Sequence, residues 1–231
     1  MKLQTDKQMA EPHGTLATRV YERLRDDIFS GGLPPGEKLR TEYLRNRYDV
    51  GNTPLREALN RLSADGLVAR IDQRGFSVTK LSREEFEGLL KTRCWLEEIA
   101  LRESIKNRTQ EWEENLVIAL HRLSRVLPMV DGEANPDWEQ QHHRFHLSLL
   151  ANCGSEWLLS FCTQLLDHTD RYRRFASDAS YGDRDLLTEH RSILEATVEG
   201  DADRAVELLM GHYRRTGEII LESDALASLE N

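Results

Sequence analysis

Leu16, Val20, Leu24 and Ile28 recur every four residues behind Thr15, which can cap a helix, and this spacing predicts a helix reaching about Phe29. Gly31-Gly32 ends it, and Pro34-Pro35-Gly36 makes a rigid turn. A second short helix is expected over Thr41–Arg47, burying Tyr43 and Leu44. Tyr48–Asn52 reads as the turn after it, with Gly51 able to supply a left-handed conformation. The third helix starts at Thr53, where Pro54 fits the first turn because its missing N–H would be unpaired there. Leu55, Ala58, Leu59 and Leu62 form its core-facing stripe, whereas Arg56, Asn60 and Arg61 lie off that stripe. The next stretch, LVARIDQRGFSV, alternates like two strands of a β-hairpin with Asp72, Gln73, Arg74 and Gly75 at its tip.

Thr79–Leu81 reads as a link, and beyond it the pattern is helical throughout. Ser82 with Glu85 makes a capping box for a helix to about Ile105. Thr109 opens another that ends near Pro128, and Asp131–Asn135 is a loop. Asn135-Pro136 starts a helix to Ala151, and Gly154-Ser155 restarts the chain for one through Phe175. Asp183 or Arg184 begins a helix stopped by Gly200, and Asp201 caps the last, to about Glu222. The chain is thus expected to be mainly α. Residues 1–14 form a polar, disordered arm; 15–80 form a winged helix-turn-helix of three helices and a hairpin wing; 82–224 form an all-α antiparallel bundle of about six helices.

Charge sharpens this division. The net charge of −9 hides an asymmetry: residues 1–80 hold 14 Lys and Arg against 11 Asp and Glu, and the rest holds 17 against 29. A mildly basic head on an acidic body suits a phosphate backbone at the head. The surplus is small enough that affinity should come from a specific dimeric site. A helix-turn-helix puts the first residues of its second helix into the major groove, which singles out Asn52, Thr53 and Arg56. Arg40, Arg45 and Arg47 are placed for phosphates, and Gln73, Arg74 and Gly75 for the neighbouring groove. No apolar run approaches the roughly 20 residues of a membrane span, and the N-terminus lacks a signal-peptide layout, so a cytoplasmic protein is expected. Cys94, Cys153 and Cys162 show no CxxC spacing and read as buried thiols in a reducing compartment.

The body carries a second constellation. His142 and His146 share one helical face, and His190 and His212 fall on two further helices. Imidazoles from three helices can hold Zn²⁺, Ni²⁺ or Mn²⁺, or can simply be core or surface histidines; periodicity leaves both open. A metal-dependent hydrolase is the alternative function, because His142 and His146 have zincin spacing. The position of the general-base glutamate is His143, however, and no nucleophile motif or phosphate loop occurs, so an enzyme is not expected. Trp95, Trp112, Trp138 and Trp157 read as packing anchors, His121, His143 and His168 as surface residues, and Glu97-Glu98 and Glu113-Glu114 as solvated faces.

The segments LPPGEKLR, TPLREALNRLSADGLV and RGFSV resemble the DNA-binding domain of the GntR family of bacterial transcription regulators over about Arg19–Val78. One departure is that Gly51-Asn52 stands where that pattern has serine and arginine. The body is similar to the FCD effector domain of the FadR-type branch. Phe145-His146-Leu147 with Ala151-Asn152, the run from Glu189 to Ala196, and His212 match its metal-binding motifs. The resemblance implies a divalent metal at His142, His146, His190 and His212, with His142 in place of the usual aspartate, which favours Zn²⁺ or Ni²⁺. It also implies an effector-pairing arginine at Arg93 in an R-x-x-L-E pattern, the alternative being an ion pair with a nearby glutamate, with Tyr172 and Arg173 as further candidates for the pocket wall. A homodimeric regulator follows, a repressor on an inverted-repeat operator of double-stranded DNA in the bacterial nucleoid. Its effector would be a small organic acid, a dicarboxylate or a related acid.

Overall fold

A computed structural model describes residues 14–71, 75–176 and 184–228. The chain divides into two compact units, Met1–Thr79 and Lys80–Asn231. The arm assigned to residues 1–14 lies outside the described residues except for Gly14, as do Asp72, Gln73 and Arg74 at the wing tip.

In the first unit, α1 (Leu16–Phe29) is capped by the Thr15 hydroxyl, which accepts from Thr18 N at 3.2 Å. Helices α2 (Thr41–Tyr48) and α3 (Asn52–Ala64) follow, and α3 packs against α1. Strands β1 (Lys38–Leu39), β2 (Val68–Ile71) and β3 (Gly75–Val78) form an antiparallel sheet in the order β1-β3-β2. Val68 faces Val78 and Ile71 faces Gly75 across the wing. The core takes its side chains from every element: Val20, Leu24, Ile28, Leu44, Leu55, Leu59, Leu62 and Val78 are all buried. Each such side chain contributes roughly 1.5–3 kcal/mol by leaving water.

One strand is added and two local expectations are corrected here. Lys38–Leu39 pairs with β3, and two residues are too short to show a period. Tyr43 is 47% exposed, because Leu44 and Tyr48 already fill the inner face of α2. Gly51 has φ −77° and serves as the N-cap of α3; Asp49, at φ 51°, makes the left-handed turn, and α3 begins at Asn52. Aspartate tolerates that region better than most side chains.

The second unit consists of α4 (Arg83–Lys106), α5 (Gln110–Ser124), α6 (Pro136–Leu150), α7 (Glu156–Phe175), α8 (Leu186–Glu199), α9 (Ala202–Glu222) and the short α10 (Asp224–Ala227). Each is capped by the side chain before it: Ser82, Thr109, Asn135, Ser155, Asp185, Asp201 and Ser223. Such caps are worth about 1 kcal/mol apiece, and they explain why the polar-to-apolar transitions were readable as helix starts. Helix α4 packs against α6, α7 and α9, and α5 against α6 and α8. Leu101, Leu116, Phe145, Leu149, Cys162 and Leu209 form the centre of the core.

The body also holds a small hairpin, β4 (Met129–Val130) with β5 (Glu133–Ala134), just past the expected helix end near Pro128 and across the expected loop Asp131–Asn135. Asp131 and Gly132 both have positive φ, the dihedral signature of a type I′ turn. Trp112 and Trp138 are buried, but Trp95 and Trp157 are 57% and 76% exposed and do not anchor the bundle. Cys153 and Cys162 are buried and Cys94 is half-buried. No helix among the described residues is long and apolar enough to cross a membrane.

Candidate functional site

In the head, Arg40, Arg45, Asn52, Thr53 and Arg56 are all exposed, at the starts of α2 and α3 or along α2. Gly75 opens β3 at φ 92°. The backbone adds what the side chains alone did not show. The N-caps of α2 and α3 are Arg40 and Gly51, and neither gives a side-chain cap to its helix. Among the described helices only these two lack one, so their first N–H groups remain open to phosphate oxygens, which helix N-termini favour. Arg47 differs from its expected role. Its guanidinium bonds Asp27 Oδ2 at 2.8 Å and the Tyr43 hydroxyl at 2.8 Å, while the Tyr48 hydroxyl donates to the same Asp27. Arg47 is therefore a brace between α1 and α2.

In the body, α6 brings in His142 and His146, α8 His190 and α9 His212, and the four rings meet in the core. They are 6%, 1%, 1% and 3% exposed, and one nitrogen from each lies within 4.8 Å of the others. A tetrahedral zinc site with bonds of 2.0–2.1 Å places its nitrogens about 3.3 Å apart, a small contraction from this arrangement. The 3.0 Å approach of His142 Nε2 to His146 Nε2 is already of that order.

The proton inventory fixes two of the rings. Tyr213 has a single hydroxyl proton, which it donates to Glu97 Oε2. Its oxygen, 3.1 Å from His146 Nδ1, must then accept, so His146 carries its proton on Nδ1 and presents a bare Nε2. His212 Nδ1 donates to Glu189 Oε2 at 2.8 Å, leaving its Nε2 bare as well. Hydrogen bonds of this kind orient metal-ligating histidines. His190 Nε2 and His142 Nδ1 are buried with no hydrogen-bond partner, which is costly in a core of protein alone. Burial holds the ionisation of all four histidines below the usual range, reinforced at His142 by Arg173 and at His146 and His190 by His212. At His212 the adjacent Glu189 opposes that effect in part. Neutral imidazole is the form that binds a metal, so this donor set fits a divalent ion of the zinc or nickel kind.

A cavity is lined by His142 and His212 together with Arg93, Trp138, Arg173 and Tyr213 and the apolar Phe86, Leu90 and Leu186. Arg93 is 4% exposed; its Nε bonds Glu97 Oε1 at 2.6 Å and its guanidinium lies 3.8 Å from the Tyr213 ring centre. Burial opposes its charge, but Glu97 and Tyr213 outweigh that and hold Arg93 firmly protonated. Its Nη2 is buried with no partner. Arg173 makes two bonds to Glu139 at 2.7 and 2.6 Å and one to Asp170 at 2.8 Å. Burial alone would raise the Asp170 carboxyl, but Arg173 and His143 hold it well below the usual carboxylate range.

Several expectations change at this site. Tyr172 does not line the cavity; it packs on Phe86 and its hydroxyl donates to Glu85 at 2.9 Å. Glu97 is fully buried rather than solvated, because it is the counter-ion of Arg93. His143 is half-buried and bonds Asp170 at 2.8 Å. Tyr213, Glu139 and Asp170 were not singled out. The spacing Arg93-Glu97 at i,i+4 and the glutamate of the R-x-x-L-E run were the available signals for Glu97.

A winged helix-turn-helix followed by a helical bundle with a cavity lined by charged side chains is the architecture of a DNA-binding transcription regulator. The comparisons agree with this class. Residues 16–78 match the model for bacterial regulatory proteins of the gntR family, and residues 88–215 match the FCD domain. The chain is 35% identical to the HTH-type transcriptional regulator BphR of Paraburkholderia xenovorans (strain LB400) over 89% of its length and 85% of that protein's. It is 32% identical to the HTH-type transcriptional repressor GlaR of Escherichia coli (strain K12), covering 89% of this chain and 96% of the repressor. Escherichia coli McbR/YncC shares the fold, with a TM-score of 0.74 at 20% identity over 90% of this chain and 97% of that one. The chain belongs to the GntR family of DNA-binding transcription regulators, in the branch that carries an FCD domain. Its relatives are regulators, not enzymes.

Proposed function

We propose that this regulator is a homodimeric, cytoplasmic repressor whose grip on an inverted-repeat operator responds to a small organic acid bound beside a divalent metal in the body. Four buried imidazoles converging within 4.8 Å, two of them on a cavity also lined by Arg93, whose Nη2 has no partner, carry this reading. His142, His146, His190 and His212 would hold the metal, which would supply a Lewis-acidic centre for an acid's oxygen. Arg93 would pair with the acid from the cavity wall, and Arg173 would position Glu139 and Asp170. In the head, Arg56, Asn52 and Thr53 would enter the major groove, Arg40 and Arg45 would meet phosphates with the open N–H groups of α2 and α3, and the wing residues Gln73, Arg74 and Gly75 would reach the neighbouring groove. The repressor named among the relatives supports the sign of regulation.

The test is operator affinity by fluorescence anisotropy, on DNA selected in vitro by the protein itself. Zinc-loaded protein should lose operator affinity as small organic acids are added. Protein stripped by a chelator, or carrying His146→Ala/His190→Ala, should not respond. An undiminished response in the stripped protein and in the double variant would overturn the proposal.

A further inference from the structure

Gly51 and Asn52, the N-cap and first residue of α3, are not explained by the fold that holds them. Gly51 has φ −77°, open to any residue, and a Cβ added there would meet nothing nearer than Pro54 Cδ at 4.0 Å. A serine in that place could also cap the helix. Packing therefore does not call for glycine. What a missing side chain provides is close approach of another molecule to the backbone.

Asn52, Thr53 and Arg56 are exposed, and their side chains hold no hydrogen bond or ion pair among the described residues. Other polar groups of the head are engaged internally: Arg61 donates to the Thr18 hydroxyl at 3.3 Å, Tyr21 to Asp65 at 2.8 Å and Arg47 to Asp27 at 2.8 Å. Asn52 and Arg56 stand at i and i+4, so they share one face of α3 and lie about 6 Å apart along its axis. That is about two base-pair steps. A guanidinium carries donors only and pairs bidentately with guanine O6 and N7, whereas a carboxamide carries a donor and an acceptor and pairs with adenine N7 and N6. Asparagine is much the shorter side chain. Its amide reaches a base edge only where the backbone comes close, and Gly51 beside it leaves that approach open.

We infer that Gly51-Asn52 reads an adenine in each operator half-site. Gly51 admits the start of α3 to the floor of the major groove, and Asn52 pairs with the base: Nδ2 donates to N7, and Oδ1 accepts from the N6 amine. Arg56, one turn on, takes a guanine within about two base pairs. This rests on the placing of α3 in the groove proposed above and adds to it the bases that are read. An arginine in place of Asn52, as in the pattern from which this chain departs, would call for guanine instead.

Selection from random duplexes is run with full-length wild type, Asn52→Ala and Asn52→Arg. Wild-type sites should carry an adenine within about two base pairs of a guanine in each half. Asn52→Ala should flatten the preference at that adenine alone, and Asn52→Arg should exchange it for guanine. By anisotropy, 7-deazaadenine at that position, which lacks only the N7 acceptor, should weaken wild type by about fivefold or more and Asn52→Ala by less than about twofold. Threonine caps a helix as well as glycine does, so Gly51→Thr should unfold no earlier than wild type by circular dichroism. It should nevertheless bind the selected site about fivefold or more weakly, through loss of the Asn52 pair. The same base preferences from all three proteins, full wild-type affinity for the 7-deaza site, or full affinity in Gly51→Thr would overturn the inference while α3 keeps its place in the groove. A wild type that enriches no sequence at all would overturn the operator reading with it.

Discussion

Tyr213→Phe is the most informative single substitution in the body. The change keeps the ring and its volume, so no cavity opens and the packing of α9 is preserved. It removes one oxygen that donates to Glu97 Oε2 and accepts from His146 Nδ1. A hydrogen bond to a charged acceptor contributes about 1.5–3 kcal/mol, and a buried donor left bare costs about 1–3 kcal/mol. Relaxation offsets part of that sum, giving an expected loss of about 2–4 kcal/mol, a large share of the 5–15 kcal/mol typical of a domain. All four tryptophans lie in the second unit, so urea unfolding followed by tryptophan fluorescence reads the stability of the body alone. The same substitution frees the His146 ring, and loss of such an orienting partner lowers metal affinity by about 10–100-fold. Competition against a chromogenic zinc chelator measures that loss. Zinc affinity within twofold of wild type would refute the proton inventory at His146, whatever happened to stability.

Three further outcomes follow from the same geometry. Arg56→Ala should weaken specific operator binding by about 10–100-fold in a gel shift, the worth of one good base contact, with the circular dichroism spectrum unchanged; wild-type affinity would remove Arg56 from the interface. Arg47→Ala should speed amide exchange in α1 and α2 and leave the salt dependence of operator binding unaltered, because its guanidinium is held by Asp27 and Tyr43; a shallower salt slope would return it to the phosphate contacts. The four histidines ionise less readily in the folded body than in the unfolded chain, so the unfolded chain takes up more protons as pH falls below about 6.5. Metal-free protein should therefore lose stability from about pH 6.5 downward, by up to about 1.4 kcal/mol per imidazole per pH unit, and a flat urea midpoint between pH 7 and 5 would contradict the burial of the cluster.

Most of the architecture was legible because its signals are local. Thr15, Ser82, Thr109, Asn135, Ser155 and Asp201 cap the helices they were read as opening, and the apolar stripes of α1 and α3 enter the core of the head except for Leu16, which is exposed in the first turn of α1. Elements of two residues escaped, because neither β1 nor the hairpin at Asp131-Gly132 is long enough to show a period, although Asp-Gly is itself a turn signal. The four histidines stood out by spacing and by family likeness, and the fold brings them together. What surrounds them was not legible. Glu97 reads as a surface acid in its own helix and is buried because Arg93 and Tyr213, the latter 116 positions along the chain, converge on it. Trp95 and Trp157 mislead in the opposite direction, since an aromatic residue on a helix gives no sign of which face the neighbours cover.

The central claim is that three helices of the body build one all-nitrogen metal site. X-ray absorption at the metal edge of the purified, full-length protein tests it most directly. A first shell containing four imidazole nitrogens at about 2.0–2.1 Å is expected, falling to three in His142→Ala. A shell with sulfur, or one with fewer than four imidazoles in wild type, or protein that takes up no divalent metal, would contradict it.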